Sequence, residues 1–278
     1  MIFRSRHIGV AVAATLAGLG TTSTAHAQWV MGGTQWANNY FTTVVTSFTV
    51  PPAPTAQSSA VTNIWPGIED AQGTWVLQPV LSYGFLEEGW LMDNQVYGPS
   101  NGNPNNTACP TGNATYCDEP QQVNAGDSII AGVALDWTNL GSGCNTNTGT
   151  NCNYNLIWID TTTHQTSELK DWVAPTPLRW AQGLVFEANF YTGTGLPGPS
   201  TCADYPAARE FEATVGLYES SGSNLQVQDV TNLSAGYPGF GNGFNWESPP
   251  VSGCFFQAFA SPGTASSPAG EISFWFWN

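Results

Sequence analysis

Short apolar runs rich in β-branched and aromatic residues recur along the chain, each closed off by Gly, Pro, Asn or Thr. They are FTTVVTSFTV (41–50), TWVLQPVLSYG (74–84), DSIIAGVALDW (127–137), NYNLIWIDTTT (153–163), GLVFEANFY (183–191), REFEATVGLY (209–218), GCFFQAFA (253–260) and EISFWFWN (271–278). Side chains that alternate between apolar and polar suit a pleated strand with one buried face, and turn residues between such runs suit a sandwich or barrel. Apolar residues at helical spacing are nearly absent. The chain is therefore expected to be all-β. It shows no internal repeat and no break in composition, so residues 28–278 are expected to form a single β domain.

Residues 1–27 read as a secretory leader. Arg4 and Arg6 precede an apolar run from Ile8 to about Gly20, and Ala25-His26-Ala27 supplies a small-residue cleavage site. That run is too short to span a bilayer as a helix, which argues against a membrane anchor. The expected location is extracellular. Loss of the leader leaves Lys170, Arg179 and Arg209 as the fixed positive charges against 20 acids. Such a balance argues against nucleic acid and anionic membranes as partners. It suits an acidic workplace, where the carboxylates neutralise and few cations remain to repel one another. Acidity for solubility alone is the other reading.

The six cysteines are Cys109, Cys117, Cys144, Cys152, Cys202 and Cys254. An even count in an exported chain suggests disulfides. Cys109–Cys117 and Cys144–Cys152 would close short polar loops, and Cys202–Cys254 would be a long-range staple. Other pairings are open on sequence alone. The spacings do not suit zinc, and His164 is the only histidine beyond the leader, so neither a metal nor a cofactor is expected. The sequons at Asn105, Asn113 and Asn232 could carry glycans in a eukaryotic host.

A serine triad needs a histidine base, and His164 sits in a polar hairpin-like stretch, TTTHQTSE, without partners. Free-thiol chemistry is excluded if the cysteines pair. Carboxylates and amides remain, most of them in turns where a charge is simply solvated. Two positions differ. In GLVFEANFY, Glu187 shares a strand face with Val185 and Asn189, while Leu184, Phe186, Ala188 and Phe190 share the other. In TWVLQPVLSYG, Gln78 shares a face with Val76, Val80 and Ser82. Each strand thus sets a polar group among apolar neighbours. Buried polar groups need partners, and both residues could serve only to satisfy sheet or loop groups.

Four segments resemble the eqolisins, the glutamic peptidases. FTTVVTSFTVPP (41–52) resembles their opening strand. IWPGIED (64–70) resembles their Trp-Val-Gly-Ile-Asp-Gly segment, with Pro66 and Glu69 substituted. TWVLQPVL resembles the strand whose Ile-Leu-Gln carries the catalytic glutamine, which maps onto Gln78. GLVFEANF resembles the later strand with the catalytic glutamate, which maps onto Glu187. Order and rough spacing agree over nearly all of the chain beyond the leader.

The resemblance implies a lectin-like, concanavalin A-like β-sandwich of two large antiparallel sheets, about seven strands each, with a groove on one face. It implies an acid-acting endopeptidase in which Glu187 activates a water and then protonates the leaving amine. Gln78 would orient that water and hold the oxyanion. The residue types suit acid: an amide keeps its donor at any pH, and an unperturbed glutamate titrates near pH 4.3. Trp65, Glu69, Ser82 and Trp90 are expected to line or support the groove. The chain departs from the family at Met92, where a glutamate stands two positions beyond the groove tryptophan. It departs again at Ser82, where an aspartate stands four beyond the catalytic glutamine. The expected partners are protein or peptide substrates, and the chain is expected to act as a monomer. Two other readings use the same sandwich. One is a non-catalytic module that stacks aromatic side chains on glycans. The other is a glycoside hydrolase, for which EFE (210–212) is a poor carboxylate pattern.

Overall fold

The structure is a computed structural model, which describes residues 28–32, 35–36, 40–55, 60–84, 89–98, 117–190, 210–220, 227–229, 255–261 and 270–277. The expected leader, the three sequons, and Cys109, Cys202 and Cys254 lie outside the described residues.

The described residues form fifteen strands and no helix. In chain order these are β1 (Gln28–Gly32), β2 (Gln35–Trp36), β3 (Phe41–Thr49), β4 (Ala60–Asp70), β5 (Val76–Tyr83), β6 (Trp90–Tyr97), β7 (Gln121–Val123) and β8 (Ser128–Leu135). They continue with β9 (Cys152–Asp160), β10 (Thr166–Ala174), β11 (Leu178–Phe190), β12 (Glu210–Ser220), β13 (Val227–Asp229), β14 (Phe255–Ser261) and β15 (Gly270–Trp277). A seven-stranded sheet runs β1-β11-β4-β5-β6-β7, with β2 also on β11. An eight-stranded sheet runs β10-β9-β8-β3-β12-β15-β14, with β13 also on β12. All pairings are antiparallel. The expected all-β sandwich of two large sheets is the observed fold.

The two sheets close on one apolar core. Phe41, Val44 and Phe48 of β3, Ile129 and Val133 of β8, and Leu156 and Trp158 of β9 meet Ile64 and Ile68 of β4 and Leu77 and Leu81 of β5. Period-2 alternation supplies one inward face per strand, and burial of these side chains drives the sheets together. Tyr154 lies wholly inside, and its hydroxyl donates to Phe41 O at 2.8 Å, so its polar end is satisfied across the β9–β3 gap. At the sandwich edge the loop before β9 is fastened by a Cys144–Cys152 disulfide, as the spacing suggested. Cys117 is disulfide-bonded too.

The β4–β5 hairpin determines the site. Asp70 closes it: its Oδ1 accepts from Thr74 N at 2.6 Å and Trp75 N at 3.2 Å, and its Oδ2 accepts from Thr176 Oγ1 at 3.1 Å. That clamp fixes the register of the two strands, Glu69 opposite Val76 and Ile68 opposite Leu77. A second local feature acts from the other side. Between Gln182 and Val185, β11 carries an irregularity against β4, so that three steps of β11 match two steps of β4.

Candidate active face

The face of the seven-stranded sheet turned away from the core is unusually polar for its burial. Its rows can be read from register. Gln78 on β5 stands opposite Gln95 on β6 and, between the Ile68–Leu77 and Ile64–Leu81 pairs, opposite Gly67 on β4. Gly67 in turn pairs with Gln182 on β11. One row therefore reads Gln95, Gln78, Gly67, Gln182. The row on its hairpin side reads Tyr97, Val76, Glu69, Trp180. The row on the other side holds Asp93, Val80, Trp65 and Val185, of which Val80, Trp65 and Val185 join Val76 in a small apolar cluster of their own. The next row holds Leu91, Ser82, Asn63 and Glu187.

Gln78 is 7% exposed, and no hydrogen bond of its amide is present among the described residues. Glycine at 67 has a steric reason. A Cβ there would meet Leu77 O at 3.0 Å and the Trp65 ring carbons Cζ3 and Cε3 at 3.2 and 3.3 Å. The indole edge thus lies over Gly67, between the two glutamines that flank it.

Two carboxyl groups lie diagonal to Gln78, one on each neighbouring strand. Such diagonal partners sit about 7–8 Å apart at the backbone, within reach of long side chains. Glu69 is 8% exposed. Burial, and then the like charge of Asp70, push its pKa from 4.5 up to about 8, while the Gln182 side chain pulls it partly back. Gln182 is 1% exposed and its Oε1 has no partner among the described residues. Asp93 on the other flank is pushed well above the usual carboxylate range, chiefly by burial. Gln95 Nε2 donates to both Asp93 oxygens, at 3.1 and 2.9 Å. The sequence reading missed both glutamines and Asp93. It placed the loss of a family carboxylate at Met92, which lies in the core, whereas the next residue, Asp93, faces outward.

The other expected site residues divide. Trp65 and Ser82 lie on the outer face with Gln78. Ser82 Oγ donates to Asn63 Oδ1 at 2.8 Å, and the buried Asn63 Nδ2 has no partner among the described residues. Trp90 differs from the expectation of a groove residue. Register with β5 turns it inward, where it packs in the core against Tyr83 with ring centroids 5.0 Å apart. Glu187 stands opposite Asn63, on the same face as Gln78 but two same-face rows away. Those rows are four residues of β4 apart, about 13 Å along the sheet. His164 adopts φ 65° in the β9–β10 turn, and its backbone N–H donates to Asp160 O at 2.8 Å.

The fold has solved counterparts. Scytalido-glutamic peptidase with a peptide-based transition state analog matches over 91% of this chain and 100% of its own, with TM-score 0.55 and 15% identity. The same peptidase with a transition state analog inhibitor matches over the same shares, with TM-score 0.53 and 14% identity. SCP-B, a member of the eqolisin family of peptidases in complex with the tripeptide Ala-Ile-His, covers the same shares at TM-score 0.49 and 14% identity. No protein-family model matches the chain, and no curated protein matches it in sequence. What this chain shares with the glutamic peptidases is thus the fold, a two-sheet antiparallel sandwich matched along nearly its whole length.

Proposed function

We propose that the protein is a secreted endopeptidase that hydrolyses peptide bonds by direct attack of water. Gln78 is the amide that holds the developing oxyanion. A glutamate of the same sheet face takes the water's proton and returns it to the leaving amine. The observation that carries this reading is the Gln78 amide: unpartnered among the described residues, within a buried polar row, in a fold that glutamic peptidases share. A preorganised neutral donor in a water-poor site stabilises an oxyanion at any working pH. Glu187 is the glutamate put forward by the sequence resemblance, which implies activity in acid. Secretion is supported by the disulfide Cys144–Cys152, a bond of oxidising compartments.

The test is cleavage of an unfolded protein substrate in the presence of pepstatin, a metal chelator and a serine-protease reagent. Cleavage that survives all three and is lost in Gln78→Ala supports the reading. Equal cleavage by wild type and Glu187→Gln removes Glu187 from the carboxylate role. No cleavage, with retention on a polysaccharide column, leaves the glycan-binding alternative instead.

A further inference from the structure

We infer that Asp136 and Asp171, with the side-chain carbonyls of Asn139 and Asn153, form a binding site for one calcium ion. The site lies on the eight-stranded sheet, at its β9–β10 edge, and does not depend on the peptidase reading.

Strand register brings these groups together. Asp136 directly follows β8, Asn153 and Asn155 lie on β9, and Asp171 lies on β10. Between Leu169 and Trp172 three steps of β10 match two steps of β9, so one residue is extra there. Within that irregularity Asp171 takes φ 56°. Its N–H donates to Asn155 Oδ1 at 2.9 Å, and Asn155 Nδ2 donates to Asp136 Oδ2 at 3.2 Å. Asn139 makes a second bridge. Its N–H donates to Asp136 Oδ1 at 2.9 Å, and its Nδ2 donates to Asp171 Oδ1 at 2.8 Å. Two asparagines thus hold two carboxylates near each other. Asp171 Oδ2 takes no hydrogen bond among the described residues. The ammonium of Lys170, next in the chain, is paired with Glu168 Oε2 at 2.9 Å instead.

Asn153 supplies the independent sign of a ligand. It is 5% exposed, and its Oδ1 has no partner among the described residues. Its carboxamide is aimed into the cluster, with Nδ2 3.3 Å from Asp171 Oδ1. Gly141 leaves room for this head group, since a Cβ there would lie 2.7 Å from Asn153 Oδ1. The backbone oxygen that borders the same space, Asn151 O, is another acceptor. A buried amide oxygen among acceptors is left unsatisfied by the protein alone. A half-turn of the carboxamide sends its NH₂ toward the Asn151 side and brings Oδ1 to face Asp171 Oδ1. Two oxygens at that spacing repel unless a cation lies between them. Two oxygens bound to one Ca²⁺ at about 2.4 Å and at right angles stand about 3.4 Å apart, close to the spacing at Asp171.

The donor set selects the ion. It holds carboxylate and amide oxygens, with neither imidazole nor thiolate, which suits a hard cation rather than zinc or copper. Ca²⁺ accepts an irregular shell completed by water, whereas Mg²⁺ demands near-ideal octahedral geometry. Among the described residues no three acidic, histidine or cysteine side chains converge. Two carboxylates therefore carry the charge, and the affinity belongs at the weak end for calcium sites, with Kd of about 0.1–1 mM.

The experiment titrates the chelator-stripped full chain with CaCl₂ by calorimetry and follows its thermal melting with and without Ca²⁺. Wild type, Asp171→Asn, Asn153→Asp and a Glu212→Gln/Glu271→Gln control are compared. One Ca²⁺ should bind per chain and raise the melting temperature. Asp171→Asn keeps a side chain that tolerates positive φ, so it should fold, and it should bind about tenfold or more weakly. Asn153→Asp replaces the NH₂ by a charged oxygen. It should bind more tightly and gain more in melting temperature from Ca²⁺ than wild type does. The control removes two acids of β12 and β15 and should bind as wild type does. Asn153→Asp decides the matter if Asp171→Asn fails to fold. No saturable binding overturns the site. So does binding that both site variants leave unchanged, or that falls as much in the control as in Asp171→Asn. Mg²⁺ binding as tight as that of Ca²⁺ overturns the assignment to calcium.

Discussion

Replacing Glu69 by Gln should change how stability depends on pH. The folded protein raises the Glu69 pKa from 4.5 to about 8. A carboxyl with a raised folded pKa binds its proton more tightly in the folded than in the unfolded chain. Its contribution is therefore fully present below about pH 4.5 and is lost progressively as pH rises through about 8. At 1.36 kcal/mol per unit the full loss is about 5 kcal/mol, of which about 3 kcal/mol has gone by neutral pH. That is a large share of a typical domain's stability of about 5–15 kcal/mol. Glutamine is isosteric with the protonated acid and does not titrate. Urea unfolding of Glu69→Gln and wild type, at about pH 4, 7 and 9 and fixed ionic strength, reads the difference. The two should be nearly equal at the lowest pH, with the variant about 3 kcal/mol more stable at neutrality. A residual slope should remain in Glu69→Gln, because burial also raises the Asp93 pKa and acts in the same direction. Parallel stability curves for the two proteins would refute the claim that Glu69 is held neutral.

Three further outcomes follow from local geometry. Gly67→Ala places a methyl 3.0 Å from Leu77 O and about as close to the Trp65 ring; it should cost about 1–3 kcal/mol and lower the cleavage rate, measured by thermal melting and by turnover. Ser82→Ala removes the 2.8 Å bond that satisfies the buried Asn63 carbonyl oxygen; the orphaned amide should cost about 1–3 kcal/mol in denaturant unfolding. Replacing both Cys144 and Cys152 by Ala opens a loop of sequence separation 8 and should cost about 2–3 kcal/mol, read as a lower urea midpoint.

Much of this fold is legible in the sequence because a strand with one buried face repeats every second residue. FTTVVTSFTV gives Val44 and Phe48 to the core of the observed β3. The same alternation puts Gln78 with Val76, Val80 and Ser82 on one face, which is what the register shows. Alternation alone does not say which face is inward when both carry apolar groups. Trp90 and Met92 fall inside because β6 is registered against Leu81 and Tyr83 of β5, a long-range fact that GWLMD does not contain. The site's lateral order was illegible for a related reason. Gln182 joins Val185 and Glu187 on one face only through the irregularity in β11. Strict period-2 counting would turn Gln182 away from the face that holds Val185. The distance between Gln78 and Glu187 likewise depends on which residues of β4 lie between them, and spacing along the chain carries no such information.

The most direct test of the account is the origin of oxygen in the products. The protein is incubated with a reduced, carboxymethylated protein in ¹⁸O-labelled water, and the new termini are read by mass spectrometry. Hydrolysis requires new carboxyl termini that carry the label from wild type, and the role of Gln78 requires essentially none from Gln78→Ala. New termini formed equally well by Gln78→Ala, or no new termini from folded wild type at any pH, would contradict it.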